Sequence, residues 1–69
     1  MDFARRLRVA IATENVRANE LAAKVGISQA TLSRIVNGKS DPLYSTVLRL
    51  EDALPLLRKM RDEEIRHAA

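Results

Sequence analysis

Sixty-nine residues make one domain, with no room for a second and a core that is marginal without help. The chain has no cysteine, which excludes disulfides and thiolate metal sites and leaves oligomerisation as the common remaining source of stability. Twelve basic against nine acidic residues give a net charge of +3, and the excess lies wholly in residues 1–42, because residues 43–69 carry five of each sign; a basic balance in that half suits a phosphate-bearing partner.

Asp2 is placed to cap a first helix over about 2–13. Phe3, Leu7, Ala10 and Ile11 form its buried stripe, while Arg5 and Arg8 point elsewhere. Residues 14–16 are expected to form a loop, with Val16 plugged into the core. A second helix spans about 18–25, with Leu21, Ala22 and Val25 at helical spacing and Asn15 as an available cap.

Gly26-Ile27-Ser28 separates it from a third helix over about 29–37, capped by Ser28 and stopped by Gly38. At about 100° per residue, Gln29, Ala30, Ser33, Arg34 and Asn37 share one side of this helix, and Thr31, Leu32, Ile35 and Val36 the other. The first side carries small, amide and guanidinium groups and no carboxylate. That chemistry suits a DNA major groove, where side chains meet base edges and phosphates repel acids. The alternative is an amphipathic surface helix whose polar face is only solvated. Val36 is expected to touch Ile11 of the first helix.

Lys39-Ser40-Asp41-Pro42 has loop residues throughout. A fourth helix over about 44–54 would bury Val47, Leu50 and Leu54. Pro55 bars its smooth continuation but is well tolerated as the first residue of a fifth helix, about 55–66. There Leu56, Leu57, Met60 and Ile65 are apolar, and Arg58 with Asp62 makes an i,i+4 ion pair. The helix formers and lack of alternation after Leu56 argue against strands. The fold class is therefore all-α, a compact bundle of five short helices over residues 1–69.

A short helix, a glycine-containing turn of three residues and a second helix make a helix-turn-helix. The run LAAKVGISQATLSRIVNGKSDP, followed by Ser45-Thr46-Val47 and Leu50, resembles the Cro/phage-repressor (lambda repressor-like) helix-turn-helix family. The likeness covers roughly residues 16–54 and implies a DNA-binding regulator. Members mostly cap the second helix with Ser, Thr or Asn and carry Gln in its first turn. Arg17 and Ala18 stand there instead, so one phosphate contact is either lost or replaced by the Arg17 charge.

Position on the outward arc, supported by the family, assigns the roles. Gln29 can chelate adenine, Ala30 can meet a thymine methyl, and Ser33 can donate or accept. Arg34, near the edge of the arc, is either a guanine reader or a phosphate clamp, the clamp being favoured. The resemblance implies that Ser28, Asn37 and Lys39 hold the DNA backbone, Ser28 by its backbone N–H while its hydroxyl caps the helix; for Asn37 the alternative is simple helix termination. A monomer would read only about four base pairs, so a homodimer is expected on a two-fold operator, with Leu56, Leu57 or Met60 as contacts. The alternative is that these three only complete the monomer core.

The function expected is a sequence-specific double-stranded DNA-binding transcriptional regulator, a Cro-like or compact phage-type repressor. The alternatives are an antitoxin or other small-operon autorepressor, or a protein-interaction module that has lost DNA binding. No enzymatic role, cofactor, metal or small-molecule substrate is expected: His67 is a solvated tail residue, and no cysteine, glycine-rich loop or buried acid pair is in prospect. Apolar runs too short for a bilayer, and no signal peptide before the first charges, make the cytoplasm of a bacterium or phage-infected host the expected location.

Overall fold

The computed structural model describes residues 2–68, with side chains through Arg66, and contains five helices and, among those residues, no strand. They are α1 (Phe3–Glu14), α2 (Ala18–Val25), α3 (Gln29–Val36), α4 (Tyr44–Ala53) and α5 (Pro55–Ala68). The side chain of His67 lies outside the described residues.

Local chemistry explains most of the boundaries. Asp2 Oδ1 accepts from the Arg5 N–H at 2.8 Å, filling one of the orphan donors at the start of α1. Asn15, expected as a cap for α2, instead ends α1. It adopts the left-handed conformation (φ 55°), tolerated by Asn better than by most residues. The N–H groups of Asn15 and Val16 then return to the carbonyls of Ala12 and Ile11 at 3.3 and 3.2 Å. Arg17 is left as the N-cap of α2, with no side-chain hydrogen bond to it.

The α4–α5 junction turns at Leu54, and Pro55 opens α5 where a missing N–H costs nothing. Leu54 has no side-chain acceptor to cap the new helix. Glu14, at the far end of α1, supplies one: its Oε2 accepts from the Leu56 N–H at 3.1 Å. A carboxylate there also meets the positive end of the α5 dipole.

The helices close around one core. Leu7 and Ala10 of α1, Leu21, Ala22 and Val25 of α2, Leu32 and Ile35 of α3, Leu50 of α4, Leu54 and Leu57 are buried. Each fully buried leucine contributes about 1.5–3 kcal/mol of transfer free energy, which makes this cluster the main source of cohesion. Phe3, Ile11, Val16, Ile27, Val36, Ala53, Leu56 and Met60 are partly buried against it. In this arrangement α5 packs on α1 and α4, α2 on α3 and α4, and α3 on α1 and α2.

Among the described residues one charged side chain is buried. Glu51 is 4 % exposed and pairs with Arg61 of α5 at 3.2 Å. A second ion pair, Arg6 to Glu64 at 3.2 Å, ties α1 to α5. Arg61 also stands 3.9 Å from Asp62, so among the described residues Asp62 is paired with Arg61 in place of the expected Arg58. Ile65 is 60 % exposed and takes no part in the core.

Candidate nucleic-acid interface

The site is built on α3, and residues flanking it on the chain close both of its ends. At the start, Ser28 Oγ accepts from the Thr31 N–H at 3.1 Å, and its own O–H donates to Thr31 Oγ1 at 2.9 Å. The Ser28 hydroxyl is thus committed to the cap, and Thr31 takes part in it as well. At the other end Gly38 holds φ 72°. Its N–H donates to Ile35 O at 3.1 Å and that of Lys39 to Arg34 O at 2.8 Å, which satisfies carbonyls the helix leaves open. An added Cβ at Gly38 would meet Ala4 Cβ at an ordinary 3.8 Å, so it is the backbone angle, not space, that selects glycine.

Two neighbours fix how α3 is presented. Gly26, at φ 83°, ends α2 and lets the N–H groups of Gly26 and Ile27 both return to Ala22 O, at 2.9 and 3.0 Å. On the other side, Arg8 of α1 donates through Nη1 to Val36 O at 2.6 Å. Ile11 and Val36 are each half-buried against the core.

With Leu32 and Ile35 buried and Thr31 and Val36 half-buried, the opposite face of α3 is turned outward. Gln29, Ala30, Ser33, Arg34 and Asn37 are all exposed on it, and none is an acid. Arg17, at the start of α2, and Lys39, directly after α3, are also exposed. The face offers amide, methyl, hydroxyl and guanidinium groups on a rigid element, which is the vocabulary of base-edge contact. Asn37, expected at the DNA backbone, has its amide nitrogen turned back along the helix to Ser33: Nδ2 donates to Ser33 O at 2.9 Å and to Ser33 Oγ at 3.3 Å.

The three α5 residues expected between subunits part company. Leu57 is 1 % exposed and belongs to the protomer's own core, because its side of α5 faces α1 and α4; it has no surface left for a partner. Leu56 and Met60 are only half-buried.

Two residues escaped the sequence reading. Thr31 sits three residues after a serine cap, the spacing at which a side chain reaches back, and that signal was available. Arg8 acts on a carbonyl 28 positions away, which no local pattern announces. No helix among the described residues is long and apolar enough to cross a membrane.

A family model described as helix-turn-helix matches residues 5–56, from the first turn of α1 to the second residue of α5. Comparison with curated proteins and with solved structures found no match.

Proposed function

We propose, from the premise that the chain belongs to the lambda repressor/Cro-like helix-turn-helix family of DNA-binding transcription regulators, that it is a repressor which reads a two-fold operator as a homodimer. The observation that carries this reading is the outward face of α3, exposed along its length and free of carboxylates. Gln29 lies at the N-terminal end of that face, where a helix entering the major groove reaches deepest. Its amide can bond adenine N6 and N7 together, and Ala30 can lie against a thymine methyl. Ser33 addresses the next base pairs, and Arg34 contacts either guanine or a phosphate. Arg17, Lys39 and the Ser28 backbone N–H hold the sugar-phosphate chain, fixing orientation without encoding sequence.

One such helix reads too few base pairs to find a site in a genome. A second copy, bound one duplex turn away, doubles the sequence read. Leu56 and Met60 on α5 form the proposed contact between copies, being apolar and only half covered within the protomer. A dimer so placed on a promoter represses by occluding RNA polymerase.

Selection of binding sites from a random duplex library tests the proposal. The expected outcome is a two-fold sequence whose half-sites are centred about 10 base pairs apart. Recovery of no preferred sequence, with binding to random duplex weaker than about 10⁻⁴ M at moderate salt, would instead mean that the face serves a protein partner.

A further inference from the structure

A serine hydroxyl has one hydrogen to give and two lone pairs to offer, so alone it discriminates poorly among base edges. Ser33 is not alone. Asn37, four residues on and directly after the last residue of α3, places its side-chain nitrogen 2.9 Å from Ser33 O and 3.3 Å from Ser33 Oγ. Chemistry sets the direction of this amide: a backbone carbonyl can only accept, so the NH₂ group and not the oxygen must face it. The amide nitrogen therefore donates to both the carbonyl and the hydroxyl of one residue.

Two consequences follow for Ser33 Oγ. One of its acceptor sites is filled, and its own hydrogen is turned away from Asn37, where donor would meet donor. A hydroxyl that accepts a hydrogen bond is also polarised into a better donor. Ser33 is exposed, so that hydrogen is available to whatever the face of α3 meets.

We propose that Asn37 is a positioning residue that sets the polarity of Ser33, so that its hydroxyl donates into the groove and favours a base edge presenting an acceptor over the cytosine amine. In the major groove the acceptors are guanine N7 and O6, adenine N7 and thymine O4, while cytosine shows only its N4 donor. The inference rests on the proposal that the α3 face reads DNA, and it names what one position of that face selects.

The test compares two duplexes: the selected site, and the same site carrying cytosine at the base that Ser33→Ala ceases to discriminate. The ratio of the two affinities cancels any loss of folded protein, so a purely structural role for Asn37 would leave it unmoved. Asn37→Ala is expected to lower this ratio about three- to tenfold, the value of one net hydrogen bond. In the Ser33→Ala background the same substitution is expected to change it less than about twofold. A wild-type preference for cytosine, a ratio unaffected by Asn37→Ala, an equal effect without the Ser33 hydroxyl, or a Ser33→Ala variant that relaxes no position overturns the inference while leaving DNA reading in place. A wild-type protein that prefers no duplex sequence overturns both.

Discussion

Arg8 on α1 donates from its guanidinium to the carbonyl oxygen of Val36, the last residue of α3, across 2.6 Å and 28 positions of sequence. Carbonyls at a helix C-terminus lack partners within the helix and carry the negative end of its dipole, so a cation there is favoured twice. The link also sets how α3 leans on α1. Arg8→Ala is expected to lower stability by about 1 kcal/mol, and Arg8→Lys by less, since the charge remains while the planar fork is lost. Urea midpoints measure this, and an Arg8→Ala midpoint equal to wild type would show that the bond adds nothing.

Glu14 caps α5 from the far end of α1, through the Leu56 N–H. Removing the acceptor in Glu14→Ala should cost about 0.5–2 kcal/mol, as loss of an N-cap does. In a domain of this size that lowers Tm by several degrees. Glu14→Gln keeps an oxygen in place and should recover part of the loss. Thermal unfolding followed by circular dichroism separates the three proteins, and equal Tm values would mean that the cap is idle.

Asp2 supplies the pH dependence. The hydrogen bond it accepts from the Arg5 N–H, together with the Arg8 and Arg5 charges, holds its carboxyl below the ordinary value of 3.8. A group whose pKa falls on folding stabilises the native state above the unfolded pKa, and that contribution disappears as pH drops through the folded one. Asp2→Asn should therefore be less stable than wild type near neutral pH, and the gap should close as pH falls below about 4. A gap that stays constant from pH 7 to pH 2.5 would show that charge plays no part in this cap.

Much of the fold was legible because its signals are local. Ser28 before an amphipathic run, Gly38 after it and Pro55 after Leu54 each impose a backbone constraint that no distant residue has to complete. The division of α3 into a covered and an open side follows from its period alone, and Leu32 and Ile35 are buried as it requires. What escaped depends on meetings between elements. Asn15 is equally suited to start one helix or end another, and the choice fell to the hydrogen bonds that it and Val16 make back to α1. Glu51 sits buried only because Arg61 reaches it from beyond the Pro55 bend. Leu56, Leu57 and Met60 look alike on a helical wheel; which of them α1 and α4 cover is decided by packing, and Leu57 is the one enclosed. Asn37 could be read as a phosphate contact or a helix terminus. Its grip on the Ser33 hydroxyl needed side-chain positions to be seen.

The same distinction on α5 yields a test of assembly. Leu56→Glu and Met60→Glu place charge on half-covered positions, and light scattering at micromolar concentration should find them monomeric where wild type is dimeric. Leu57→Ala acts differently: it opens a cavity in the core and should cost about 2–5 kcal/mol. A wild-type protein that is monomeric both free and on operator DNA would remove α5 from the interface between copies.

The central claim is that the open face of α3 reads bases, and Gln29 tests it most directly. The affinity of Gln29→Ala is measured against the selected operator and against every single-base-pair variant of one half-site. Preference at one base pair should relax, with about 1–3 kcal/mol lost on the selected sequence and little on variants already mismatched there. Lys39→Ala, the control, should weaken all sequences alike and make the salt slope shallower by about one unit. If Gln29→Ala instead weakens every sequence equally, or none, the outward side of α3 is not a reader of DNA sequence.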